Sequence, residues 1–233
     1  MPDKKRHQWQ SQLGKDTGDF NIPGLSEISE RIQYKKLQQI PAHSGYSYRI
    51  VSGLISAFSV NKGDKNSFVV YGPGEFFAME WLVGKLTVST FFEVLEDCVL
   101  ERYPDEKFKK LLTTNAEATF MVLCRLVRQS MVYKARLDNL EYQYASQRLA
   151  YRILLLGRRF GVKREDGVLL PQLSNHRMAR TVNLTRESVN RELAKFVKLG
   201  LIRLEDNHIL IANEQGLRAQ IVSTPQDLYL DNF

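Results

Sequence analysis

Between Tyr46 and Tyr103 apolar and polar residues alternate in short runs broken by turn formers, the period-two pattern of strands with one face buried. Expected strands are Tyr48 to Val51, Leu54 to Val60, Phe68 to Tyr71, Val88 to Leu95 and Cys98 to Tyr103, with turns at Asn61-Lys62-Gly63-Asp64 and Gly72-Pro73-Gly74. Strands of this length and spacing predict a small β sandwich or roll. Upstream, a short helix is expected from Ser26 to Ile32. Residues 1–21 are polar and lack apolar periodicity, which predicts a mobile arm.

At Pro104 the period changes to that of a helix. Asp105 to Leu112 is a short helix, and Thr114-Asn115-Ala116-Glu117 has the form of a capping box opening a long one. Phe120, Leu123, Cys124, Val127 and Met131 recur at three- and four-residue spacing along it, to about Leu140. Such a stripe can pack on its own β domain, but a helix of roughly 40 Å outruns so small a domain. A partner helix is the better use, and the five residues are the expected dimer interface. A second helix carries Leu149, Ala150, Ile153, Leu154 and Leu156 and stops at Gly161, followed by a hairpin turn at Lys163 to Gly167.

Residues 173–200 hold two short helices with a specific joint. Ser174 is placed to cap the first, on which Met178 and Ala179 face inward ahead of Val182. Asn183 suits a position of positive φ, Leu184 fills the corner, and Thr185 caps the second helix. There Val189, Leu193, Phe196 and Val197 are the expected core, while Arg186, Glu187, Asn190 and Arg191 share an adjacent face. Arginine offers paired donors to guanine O6 and N7, glutamate accepts from cytosine N4, and asparagine pairs with adenine, so these four are candidate base readers in a DNA major groove. Ser174, Arg177, Thr185, Lys195 and Lys198 are the candidate phosphate contacts, with Arg180 and Arg203 nearby. Gly200 ends the helix, and Leu201 to Leu204 and Ile209 to Ile211, joined by a turn at Glu205 to His208, predict a wing.

The net charge of +7 favours a polyanionic partner, and the cations of residues 177–203 give it a location. Double-stranded DNA is the expected partner. The two cysteines, Cys98 and Cys124, are far apart and form no metal or disulfide pattern. His7, His43, His176 and His208 are scattered without a catalytic frame, so no enzymatic activity is expected. No apolar run spans a bilayer and no signal peptide is read, which predicts a cytoplasmic protein without a membrane partner. A basic membrane-surface protein is the alternative class. It would use the amphipathic helix at 116–140, which a dimer seam explains better.

Thr185-Arg186-Glu187-Ser188-Val189-Asn190-Arg191 resembles the recognition helix of the Crp/Fnr superfamily of transcription regulators, nearest its cyclic-AMP receptor branch. Val51-Ser52-Gly53-Leu54-Ile55 and Gly74-Glu75-Phe76-Phe77 resemble that family's β-roll sensor, and Asp138-Asn139-Leu140 and Arg148-Leu149-Ala150 its hinge and following helix. The resemblance implies an α+β chain: a cyclic-nucleotide-binding-like β-roll at residues 22–112, a dimerisation helix and hinge at 113–143, and a winged helix-turn-helix at 144–222. The arm precedes these and a tail follows at 223–233. It also implies a homodimer, a two-fold operator with half-sites similar to TGTGA, and contact with RNA polymerase if the protein activates. The effector pocket departs from the family pattern. Met79, Ser89, Thr90, Tyr133 and Lys134 stand where the cyclic-AMP branch keeps its ligand-holding groups, and the phosphate-pairing arginine is missing. No cofactor is expected, the effector is left open, and cyclic AMP is not expected to be it. A haem- or other small-molecule-sensing member of the same fold is the alternative.

Overall fold

The computed structural model describes residues 21–41, 45–61, 64–84, 90–142, 144–206 and 208–221. Residues 1–20 of the arm expected at 1–21, Ser89 and the tail at 223–233 lie outside them. The chain divides into two compact units, residues 1–132 and 133–233.

The first unit is an antiparallel sheet. Strands β1 (Glu30–Tyr34), β2 (Gln39–Ile40), β3 (Tyr46–Asn61), β4 (Asp64–Tyr71), β5 (Phe76–Phe77) and β6 (Thr90–Pro104) run in the order β1-β6-β3-β4, with β2 on β6 and β5 on β3. Two pairs of expected strands are thus single long ones. β3 stays continuous through three register shifts between Ile50 and Ile55, and at their centre Gly53 has φ +87°. A Cβ there would lie 2.3 Å from the Asp97 carbonyl oxygen, so this irregularity requires glycine. The helix expected at Ser26 to Ile32 is corrected: Ser26–Ile28 forms one 3-10 turn, and Glu30–Tyr34 instead pairs with Arg102 to Cys98 on β6.

Aromatic side chains fill the roll. Tyr48, Tyr71, Phe77 and Phe92 stack within it at centroid spacings of 4.8–6.3 Å. A second apolar cluster, of Ile22, Leu25, Phe76, Leu82, Tyr103 and Phe108 with Ala118 and Val122, docks α1 (Glu80–Gly84), α2 (Asp105–Thr114) and the start of α3 (Ala116–Glu141) on the sheet. Deeper along α3, the Gln129 amide donates to the Phe76 carbonyl at 2.8 Å. Beside this core Glu101 is buried, accepting from Tyr103 Oη at 2.7 Å and from Arg49 through Nε and Nη2 at 3.1 and 2.7 Å.

The expected capping box is replaced by a single side-chain cap one residue further on. Thr114 still belongs to α2, its hydroxyl donating to the Lys110 carbonyl at 2.8 Å, and Asn115 Oδ1 accepts the Ala118 N–H at 3.0 Å to open α3. On α3, Ala118, Val122, Gln129 and Val132 are buried. Phe120, Leu123 and Val127 remain 61%, 53% and 54% exposed, Cys124 is exposed and Met131 is half-buried.

The second unit is built round α4 (Ala145–Phe160), whose Leu149, Ala150, Ile153, Leu154, Leu155 and Leu156 are all buried. The hairpin β7 (Val162–Arg164) and β8 (Gly167–Leu169) and the wing strands β9 (Ile202–Glu205) and β10 (His208–Ile211) join in one sheet, β7-β8-β10-β9. Between the two hairpins lie α5 (Asn175–Thr181) and α6 (Arg186–Lys198), and α7 (Glu214–Arg218) follows the wing.

Candidate nucleic-acid interface

The geometry of α5 and α6 follows from local chemistry at three positions. Ser174 Oγ accepts the Arg177 N–H at 3.3 Å and so starts α5. Asn183 takes φ +52°, the left-handed conformation that breaks the helix and turns the chain, and the Leu184 N–H returns to the Ala179 carbonyl at 3.0 Å. Thr185, in extended conformation, accepts the Ser188 N–H on its Oγ1 at 3.1 Å and opens α6. At the far end Gly200, at φ +68°, allows Leu201 N–H to reach the Phe196 carbonyl and Gly200 N–H the Val197 carbonyl, both at 2.9 Å.

These ends fix the roll of α6. Val189, Leu193 and Phe196 are buried, with Met178, Ala179 and Val182 buried on the α5 side. Val197, expected in the core, is 41% exposed. The turn at Gly200 brings buried Leu201 back beside Phe196, so the apolar seam closes without it. With that face buried, Arg186, Glu187, Asn190 and Arg191 are all exposed on the first turns of α6. Arg191 Nε lies 3.6 Å from Glu192 Oε1, and Asn190 Oδ1 accepts from Asn175 Nδ2 at 2.7 Å.

Of the candidate phosphate contacts, Ser174 and Thr185 are the exposed caps, Lys195 and Lys198 are exposed in the last turn of α6, and Arg177 is half-buried on α5. Arg203 is different: it pairs with Asp166 and, at 3.3 Å, with Glu205, so this wing cation is bound to carboxylates of its own sheet. His176 is exposed on α5, whereas His208 opens β10 and donates from Nδ1 to the Leu170 carbonyl at 3.0 Å. Asn175 escaped the sequence analysis. Its partner lies fifteen residues away on another helix, and no local pattern announces the pair.

The candidate effector residues fall in both units. Met79 packs against the cluster round Phe76 and Phe108, and Thr90 opens β6 half-buried. Tyr133 and Lys134, exposed on α3, fall in the second unit. A cavity of about 310 Å³ in the first unit is lined instead by Asn21, Ile22, Leu25, Ser26, Arg31, Arg49 and Glu101. Burial pushes the Cys98 thiol up to about 12, and among the described residues no group of acidic, histidine and cysteine side chains has the arrangement of a metal site. No described helix is long and apolar enough to cross a membrane.

Comparison with known proteins places this architecture. The Crp-like helix-turn-helix domain matches residues 147–220. The transcriptional regulator SdrP of Thermus thermophilus is 24% identical over 200 residues, covering 83% of this chain and 95% of its own. A CRP-like cAMP-activated global transcriptional regulator of Mycobacterium tuberculosis is 25% identical over 173 residues, 73% of this chain and 77% of its own. Among solved structures, FixK2 from Bradyrhizobium japonicum superposes with a TM-score of 0.72 at 18% identity, covering 84% of this chain and 99% of that one. The matched domain holds the capped α5–α6 pair and the wing, and the relatives extend the likeness through the β-roll, so the chain is similar over most of its length to DNA-binding transcription regulators of the Crp/Fnr superfamily.

Proposed function

We propose that the protein is a homodimer that reads a two-fold operator with half-sites similar to TGTGA, through Arg186, Glu187, Asn190 and Arg191 of α6. The observation that carries this reading is the roll of α6: with Val189, Leu193 and Phe196 buried, the four polar side chains are all exposed on the helix's leading turns. Arg186 and Arg191 supply donors for guanine, and Glu187 an acceptor for cytosine N4. Ser174, Arg177, Thr185, Lys195 and Lys198 set the register against phosphates. The dimer is supported by α3, where Phe120, Leu123 and Val127 are over half exposed in a row with Cys124 and Met131, leaving an apolar seam for an identical helix. Residues 22–112 are the sensor in this scheme, 113–143 the dimer helix and hinge, and 144–222 the DNA-binding part. Where the cyclic-AMP branch keeps its phosphate-pairing arginine this chain has the neutral hydroxyls of Ser89 and Thr90, so in this scheme cyclic AMP does not control binding.

Selection from random duplex DNA, followed by affinity measurements on the selected site, tests the proposal. Arg186→Ala costs roughly 1–3 kcal/mol and relaxes base choice at one position per half-site. Lys198→Ala weakens all sequences alike, and added cyclic AMP changes nothing. A selected site without two-fold symmetry, or unchanged specificity in Arg186→Ala, refutes the assignment of α6.

A further inference from the structure

The hydrogen bond between Asn175 and Asn190 bears on what α6 reads. An exposed asparagine amide has two orientations related by a half-turn about its last torsion, one presenting N–H donors and the other a carbonyl acceptor. In the structure Asn175 Nδ2 donates to Asn190 Oδ1 at 2.7 Å, which couples the orientation of the Asn190 amide to that of Asn175. The Asn190 oxygen is turned to α5, and its NH2 group is the end left to face away. Both backbones are held firmly. Asn175 is the first residue of α5, fixed by the Ser174 cap, and Asn190 follows Val189, which is fully buried beneath α6.

We propose that Asn175 is a positioning residue that holds Asn190 as a hydrogen-bond donor, and thereby selects the base this position reads. A donor matches guanine, with its O6 and N7 acceptors, or thymine, with O4. It mismatches cytosine, whose edge offers the N4 amino group. The inference rests on the reading of α6 as the recognition helix, and it adds to that helix a second residue from α5 that touches no base.

Asn175→Asp inverts the polarity with almost no change of shape. A carboxylate only accepts, so Asn190 turns over, gives its NH2 to Asp and presents Oδ1 outward. An acid in the first turn of α5 also suits the helix dipole, so the variant folds, which a melting curve verifies. Relative affinities are measured for the wild type, Asn175→Asp, Asn190→Ala and the double variant on operators carrying each base in turn at every half-site position. At one position per half-site the ratio of guanine or thymine to cytosine falls roughly fivefold or inverts in Asn175→Asp, the worth of about one hydrogen bond. The double variant shows no such change. General weakening by the added negative charge affects every sequence alike and leaves the ratio untouched.

An unchanged base preference in Asn175→Asp overturns the proposal. So does a change that survives in the Asn190→Ala background. If Arg186→Ala still relaxes its own position while Asn175→Asp moves nothing, only the role of Asn175 falls. If Arg186→Ala also leaves specificity intact, the recognition helix itself is wrong and the proposal falls with it.

Discussion

Replacing Thr185 separates two tasks that meet at one hydroxyl. Its Oγ1 accepts the Ser188 N–H at 3.1 Å, and the same hydroxyl donates to Ser188 Oγ at 3.0 Å, just ahead of Arg186 and Glu187. Thr185→Ala leaves an N-terminal N–H of α6 without its acceptor, a loss of about 1 kcal/mol that lowers the melting temperature by roughly 2–4 °C in a chain of this size. Fraying of the first turn must then be reversed on DNA, so operator affinity falls by up to about fivefold. Thr185→Asp keeps an acceptor at the cap and adds a charge that favours the helix N-terminus, holding stability at or above wild type. The same charge opposes phosphate, so binding to operator and to scrambled DNA falls together. Thermal unfolding alongside fluorescence anisotropy at fixed salt reads both effects. A Thr185→Ala protein that melts and binds as wild type would show that the cap does not order α6. Wild-type affinity in Thr185→Asp would show that this end of α6 does not approach the backbone of DNA.

Two further outcomes concern the first unit and the dimer seam. Cys124 is exposed on the apolar row of α3, while Cys98 is buried with its thiol pushed up to about 12, so mild oxidation links two chains through Cys124. A covalent dimer on a non-reducing gel that vanishes in Cys124→Ser is the expected result, and a stripe packed away from a second copy yields none. Burial acts to raise the Glu101 carboxyl, but the Tyr103 hydrogen bond and the Arg49 charge outweigh it and hold it below its ordinary value of 4.5. A carboxylate held low stabilises the fold above its unfolded value and loses that contribution as pH falls through the folded one. Glu101→Gln is therefore destabilised by about 2 kcal/mol at pH 7, and the gap closes as pH falls below the ordinary carboxyl value of 4.5. A gap that stays constant from pH 7 down to acid unfolding removes Glu101 from the acid response.

The parts of the site legible in the sequence are those made by residues three or four apart. Ser174 and Thr185 cap, Asn183 turns the chain at positive φ, and Gly200 closes the last turn, because each demand is met within a few residues of backbone. The same locality misled at Thr114, whose hydroxyl is already engaged by the preceding helix, leaving the cap to Asn115. Periodicity fixed the buried face of α6 through Val189, Leu193 and Phe196 but extended it one residue too far, to Val197, because the chain reversal at Gly200 supplies Leu201 in its place.

The sequence by itself thus determined the element types, the two-helix unit and the polar face that it presents. Tertiary structure decided whatever depends on partners distant along the chain. The first strand forms at Glu30–Tyr34 because β6 offers it an edge, and β3 runs unbroken because Gly53 lets it pass Asp97. Arg203 is drawn to Asp166, Met79 is absorbed into the apolar cluster, and Asn190 is turned by Asn175. Apolar patterning states which face of an element is buried, since every burial partner is alike to a hydrocarbon side chain. It carries no address for a hydrogen bond or an ion pair, whose partner must be met at one distance and direction that only the folded chain supplies.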